Sequence, residues 1–110
     1  MEADNKPQLK RMYSMEDLLS LARNEHAEEL KLHVGKPPVI VREGEHHVIE
    51  GPDITPENTE QFLLEITDTR QRRYLRERGW MQFFYPFRGG LTRFLVLAKI
   101  EDDGIGFDIQ

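Results

Sequence analysis

The order of the predicted elements places this 110-residue chain in the α+β class. Segments with helical spacing of apolar residues stand apart from segments in which apolar and polar residues alternate. They run as one helix, three strands, two helices and three strands, and this order is typical of an antiparallel sheet packed by helices. We predict one domain over residues 14–110, preceded by a polar, flexible leader over residues 1–13.

The first half of the chain predicts one helix and three strands. Ser14 is a suitable N-cap for a helix over residues 15–25, whose apolar residues recur at helical spacing. The period then changes to two, which predicts strands over residues 30–34, 39–42 and 46–49. Two breaks rich in glycine, proline or charge, at residues 35–38 and 43–45, separate these strands.

The second half predicts two helices and three strands. Thr55 followed by Pro56 is a strong helix start, and Asp68 or Thr69 caps a further helix that stops at Gly79. Strands are predicted over residues 80–88, 91–100 and 105–109. The turns between them lie at Gly89-Gly90 and at residues 101–104.

The residues present exclude several kinds of chemistry. The chain has no cysteine, so it can form no disulfide or thiolate metal site. Gly35-Lys36 is followed by two prolines, which offer no amides to a phosphate, and neighbouring His46 and His47 point to opposite faces of a strand. We therefore expect no catalytic site, no cofactor and no metal site, and a protein that is not an enzyme.

Charge and hydropathy constrain the location and the partners. No apolar run approaches the roughly 20 residues that cross a bilayer, and the polar start has no signal-peptide core. We expect a cytoplasmic protein without membrane insertion. The net charge of −5 argues against general binding to nucleic acid, which depends on lysine and arginine neutralising phosphates.

The densest positive charge lies on the third predicted helix. Its arginines are neighbours at helical spacing, and the main ones are Arg70, Arg72, Arg73 and Arg76. They form a candidate docking helix for an acidic protein surface or for phosphates. The alternative is a solvated face balanced by acidic residues elsewhere in the fold.

The strand over residues 91–100 is apolar on both faces. Phe94, Val96, Ala98 and Ile100 line one face, and Leu91, Arg93, Leu95, Leu97 and Lys99 line the other. A sheet covered by helices on one side only should alternate between apolar and polar residues. Either helices cover both faces, or Leu91, Arg93, Leu95 and Leu97 form an interface with another protein.

These segments resemble a known family in their order along the chain. Residues 27–45 are similar to the Ala-Ser-Asp-Leu-His-Leu, Gly-x-Pro-Pro and Asp-Gly stretch of the PilT-type twitching-motility ATPases, which belong to the type II and type IV secretion superfamily. Residues 92–97 stand in place of an Arg-Phe-Arg-Val-Asn strand of that family. The resemblance spans about residues 14–110 and covers only the N-terminal, PAS-like domain.

The resemblance implies a PAS-like antiparallel sheet with helices mainly on one face, in a free-standing domain without the ATPase core. In the family this domain packs against the core of the next subunit in a hexameric ring. Arg93 is retained here, whereas Leu95 and Leu97 replace an arginine and an asparagine. The resemblance therefore implies a changed contact on this strand.

We expect a non-catalytic protein-interaction or regulatory module related to pilus or secretion motors. Its partner would be a motor ATPase or a second copy of the chain. The alternative is a PAS-like sensor whose small ligand would lie among Tyr74, Trp80, Phe83 and Phe94. Nucleic-acid binding through the arginine-rich helix is the weakest of the three hypotheses.

Overall fold

The computed structural model describes residues 13–110, which form a six-stranded antiparallel sheet and three helices, and it confirms the α+β class. The helices are α1 (Met15–Asn24), α2 (Pro56–Ile66) and α3 (Thr69–Arg78). The strands are β1 (Glu29–Leu32), β2 (Val39–Arg42), β3 (Glu45–Val48), β4 (Trp80–Phe87), β5 (Thr92–Glu101) and β6 (Gly104–Ile109). The predicted leader lies outside the described residues apart from Tyr13, whose hydroxyl donates to the Pro52 carbonyl at 2.6 Å.

The three helices begin at the residues that the sequence marks as caps. Ser14 accepts a hydrogen bond from the Asp17 amide at the start of α1. Thr55 and Asn58 cap α2 reciprocally, and Asp68, one of the two predicted caps, forms the same box with Gln71 at the start of α3. Gly79 ends α3 in the left-handed conformation with φ of 87°, which costs glycine little because it has no Cβ.

The sheet has the order β3-β2-β1-β6-β5-β4, so the first and last strands pair at its centre. Leu30 lies opposite Ile109, and Leu32 lies opposite Phe107. The turns predicted at residues 43–45, 89–90 and 101–104 each join two paired antiparallel strands, but strands β1, β3 and β4 end one or two residues earlier than predicted. Arg88 enters the turn after β4 with φ of 54°, and Val34 leaves β1 to form an isolated bridge with Ile54.

The core lies between the three helices and one face of the sheet. Phe62 of α2 packs edge-to-face on Phe107 of β6 with ring centroids 6.2 Å apart, and both side chains are fully buried. Phe87 and Phe94 form a second such pair at 5.6 Å near the end of the β4–β5 hairpin. No helix within residues 13–110 is long and apolar enough to span a membrane.

Thr59 is a buried polar residue that joins the helical layer to the sheet. Its side chain is 0% exposed, and its hydroxyl donates to the Pro56 carbonyl at 2.7 Å. The same oxygen accepts from the Ile105 amide of β6 at 3.3 Å. Without that oxygen, the Ile105 amide would stay buried with no described acceptor, at the cost of an unmade hydrogen bond.

We expect Thr59→Val to lower the free energy of unfolding by about 1–3 kcal/mol, because valine keeps the shape but leaves the Ile105 amide unsatisfied. Urea unfolding followed by circular dichroism measures the change. Thr59→Ser keeps the hydroxyl and should lose less than Thr59→Val. An equal loss in both variants would mean that the methyl group, and not the hydrogen bond, stabilises this contact.

Candidate protein-docking face

The two faces of the sheet differ in what covers them. The side chains of the core cluster point to one face, the inner face, and include Leu30, Val96 and Phe107. Register places Arg93, Leu95, Leu97 and Lys99 of β5 on the opposite face. None of these four belongs to the core cluster, and neither leucine is among the hydrophobic residues that pack against it. We call this second side the open face, because the described helices bury only the inner one.

An apolar area occupies the β4–β5 end of the open face. Phe84 lies opposite Leu95, and Gln82 lies opposite Leu97, so side chains of both strands stand next to each other. We define the open-face patch as Trp80, Phe84, Arg93, Leu95 and Leu97. Trp80 is 50% exposed and Phe84 57% exposed, whereas Leu95 and Leu97 are partly buried.

Arg93 contributes to this patch both a charge and a guanidinium group that lies over an aromatic ring. Its guanidinium lies 4.7 Å from the centroid of the Phe84 ring, within the range of a cation–π contact. The arginine side chain therefore extends the apolar surface while its charge stays at the rim. Leu91, the remaining predicted interface residue, lies outside the strand in the turn before β5 and is 87% exposed.

A cluster of charged side chains occupies the centre of the open face, where β1 meets β6. Asp108 of β6 accepts from the Lys31 ammonium at 3.3 Å and lies 3.1 Å from Nε2 of His33. The other ring nitrogen of His33, Nδ1, lies 3.1 Å from the carboxylate of Glu101. A protonated His33 can donate to both carboxylates at once, whereas neutral imidazole has one donor.

The cluster shifts the pKa of both cationic groups upward. Burial acts to lower the pKa of His33, but the hydrogen bonds and charges of Asp108 and Glu101 outweigh it, so the pKa is raised. The same balance raises the pKa of Lys31, where the charges and hydrogen bonds of Asp108 and Glu29 outweigh burial. Within residues 13–110 no group of three or more histidines or carboxylates could hold a metal ion.

Gly106 allows one of the carboxylates to reach the histidine. A Cβ at this position of β6 would lie 2.6 Å from the Glu101 carboxylate, so the glycine leaves room for Glu101 to fold across the strand. His46 lies on edge strand β3 opposite Val41, two strands away from β1. The side chains that contact the His33 ring are the two carboxylates.

The predicted docking helix divides into arginines with and without partners in the fold. Arg72 donates to the Thr67 carbonyl at 2.6 Å, and Arg76 pairs with Glu60 at 3.3 Å. Arg70 and Arg73 are exposed and have no ion-pair partner in the described part of the chain. Arg70 and Arg73 therefore leave positive charge open to a partner, and a docking role for this helix stays a prediction.

The residues proposed for a ligand pocket are not all together. Tyr74, Trp80 and Phe83 line an open groove of about 420 Å³ along β4 and α3. Phe94 lies elsewhere, packed on Phe87 in the core. The sensor hypothesis stays a prediction, with this groove at the sheet edge as the place to look for a ligand.

The sequence predicted the β5 residues of the open face but not its charged cluster. Alternation along one strand was enough to place Arg93, Leu95 and Leu97 together. The charged cluster was missed, because His33 and Asp108 meet only through the pairing of the first and last strands. The signal available was that Asp108 is a charged residue in the otherwise uncharged strand β6, and that Lys31 alternates with two leucines in β1.

We expect His33 to stabilise the fold more at low pH than at high pH. A folded-state pKa raised above the ordinary 6.5 gives stability that is fully present below 6.5 and is lost as the pH rises through the folded value. The difference in unfolding free energy between the wild type and His33→Gln should therefore shrink between about pH 5.5 and pH 8.5.

Urea unfolding across that pH range measures the difference. His46→Gln is the matched control, because His46 is exposed and makes no ion pair with a described residue. Parallel pH profiles for the wild type and His33→Gln would contradict the assigned role of the two carboxylates.

Comparison with known proteins identifies the fold. No family model and no curated protein matches the chain. Solved structures do, and two of them are the pilus retraction motor PilT with bound ADP, at a TM-score of 0.79 and 21% identity, and the ATPase DotB of Legionella pneumophila, at 0.72 and 18%. They cover 89% and 87% of this chain.

The chain spans only a minor part of these neighbours, 29% of the PilT chain and 27% of the DotB chain. The matching part is the N-terminal domain, and the ATPase core is not included. At this level of identity the likeness establishes the fold and leaves activity and partners open. The chain has the fold of the N-terminal domain of the PilT-type secretion ATPases.

Proposed function

We propose that the chain is a non-catalytic protein-docking module related to the motors of type IV pili and type II secretion, and that its open face is the contact surface. The observation that carries the proposal is the open-face patch. Two aromatic rings and two leucines stand together on a sheet face that the described helices leave uncovered. A contiguous apolar area of this kind marks a protein-interaction site on a soluble fold.

The surroundings of the patch suit a protein partner. On β6, next to the patch, Asp108 lies opposite Leu97, and the charged cluster of Lys31, His33 and Glu101 continues outward from there. An apolar area with charged groups along its border is common at protein interfaces. The aromatic and arginine side chains of the patch are also the types that most often dominate binding energy.

The family resemblance supports a motor ATPase as the partner. Domains of this fold occur in the pilus retraction motor PilT and in the ATPase DotB. The replacement of an arginine and an asparagine by Leu95 and Leu97 supports a contact that is more apolar than in the family. Burial of these two leucines would contribute about 3–6 kcal/mol before the cost of association.

The purified chain should co-elute in size-exclusion chromatography with a pilus or secretion motor ATPase from the same genome. Leu95→Asp and Leu97→Asp should each weaken this complex by at least about tenfold, because a charge replaces a leucine worth about 1.5–3 kcal/mol on burial.

Leu64→Asp is the matched control, since Leu64 is 52% exposed on α2 and lies outside the open-face patch. Circular dichroism of each variant excludes unfolding as the cause. The proposal fails if the wild type does not co-elute with a motor and also shows no self-association that Leu95→Asp abolishes. It also fails if Leu64→Asp has the same effect as Leu95→Asp.

A further inference from the structure

Strand β4 forms one edge of the sheet and carries no charged residue. It is eight residues long, Trp80–Phe87, and reads Trp-Met-Gln-Phe-Phe-Tyr-Pro-Phe. The opposite edge, β3, is four residues long and carries a glutamate and two histidines. Folded proteins normally keep edge strands short, charged or covered, since the unpaired backbone groups can pair with another chain. This fold follows that rule at β3 and departs from it at β4.

The register shows which backbone groups of β4 point outward. Leu95 and Gln110 exchange two backbone hydrogen bonds of 2.8 and 2.9 Å, so the odd-numbered residues of β5 bond to the β6 side. The even-numbered residues therefore bond to the β4 side, and the Ile100 amide does donate to Gly79 at 2.9 Å. Because even residues of β4 lie opposite odd residues of β5, their backbone groups face away from the sheet.

Three of these outward residues have an amide to donate: Trp80, Gln82 and Phe84. The fourth, Pro86, has none, which suits proline to an edge strand. Strand β4 pairs with β5 and with no other described strand. Its outer edge therefore presents three donors in a row, closed off at one end by Pro86.

We propose that this edge binds the same edge of a second copy of the chain, antiparallel, about a two-fold axis at Gln82. In this register Gln82 lies opposite Gln82 of the second copy, and Trp80 lies opposite Phe84. Each outward amide then meets an outward carbonyl, and Pro86 falls beyond the paired segment. The two sheets join into one continuous sheet. This dimer does not depend on the motor partner proposed above.

The position of Pro86 favours this register over its neighbour. A shift that places the axis at Phe83 puts Pro86 opposite Trp80 at both ends, where proline has no amide and the Trp80 carbonyl of the other copy is left without a donor. The chosen register also sets Trp80 against the Phe84 ring on the open face at both ends of the paired segment. Aromatic pairs across strands stabilise such pairing.

The charges beside the edge favour an antiparallel second copy. At the Trp80 end, the groove along β4 is lined by Arg70, which has no ion-pair partner among residues 13–110. At the Pro86 end, a second groove is lined by Glu16 and Glu65, and also by Arg88, which donates to Ser20 at 2.7 Å. Antiparallel pairing sets the groove of Arg70 on one copy beside the groove of Glu16 and Glu65 on the other, whereas parallel pairing aligns like grooves. Arg93, which lies opposite Pro86 with its side chain on the open face, lines neither groove.

Paired charge variants at Gln82 test the register. Gln82 is exposed, so Gln82→Lys and Gln82→Glu should both fold. Each alone places two like-charged side chains directly opposite each other, on Cα atoms about 5.5 Å apart, and should raise the dimer dissociation constant about tenfold in sedimentation equilibrium. An equimolar mixture of the two variants should recover the dimer as a heterodimer, because lysine then faces glutamate.

Gln61→Lys on α2 is the matched control and should leave the dimer unchanged, since Gln61 is exposed and lies on another element. A wild type that stays monomeric overturns the proposal. A dimer that forms equally well with both Gln82 variants also overturns the proposal. So does a dimer that Leu95→Asp abolishes and that the mixture of the two Gln82 variants does not restore, because such a dimer uses the open face. Loss of motor binding by Leu95→Asp is a separate result that leaves this dimer intact.

Amide hydrogen exchange adds a residue-level readout. As the concentration rises, the amides of Trp80, Gln82 and Phe84 should become protected together, while the amides of Met81 and Phe83, already bonded to β5, should change little. Protection of the three outward amides at every concentration would also overturn the proposal, because a segment of the same chain would then occupy the edge.

Discussion

Three short helices cover one face of a six-stranded sheet in the described part of the chain, and the surfaces of interest follow from that coverage. The inner face takes Phe62, Leu63 and the other buried side chains of the helices into a single core. The open face must meet water or another protein. On this face, Trp80, Phe84, Leu95 and Leu97 of β4 and β5 form the apolar part of the patch, whereas the side chains of β1 and β6 are charged and form its polar border.

The pairing of the first and last strands organises the centre of this face. Strand β1 follows α1 near the start of the described chain, and β6 ends at Ile109 near its end. Their pairing joins the two halves of the sheet. The same contact brings His33 and Lys31 beside Asp108. The charged cluster therefore forms only when β1 and β6 pair, because its members are distant along the chain.

The open-face patch and the β4 edge share the same strand but present different chemistry. The patch offers apolar side chains, and the edge offers unpaired backbone amides and carbonyls. Trp80 and Phe84 belong to both, because a residue of β4 whose backbone points outward also has its side chain on the open face. A copy bound at the edge would place its own open-face patch beside the first one. One dimer could thus present two patches to a larger partner.

The sequence alone determined the class of fold, the helix caps and the β5 alternation. Thr55, Asp68 and Gly79 act through neighbours three or four residues away, and Leu95 and Leu97 share a face because strand geometry repeats every second residue. The tertiary structure alone decided which strands are neighbours. Only it showed that His33 reaches Asp108, that the helices leave one face open and that uncharged β4 lies at an edge. Those features depend on contacts between distant segments, and local spacing carries no information about them.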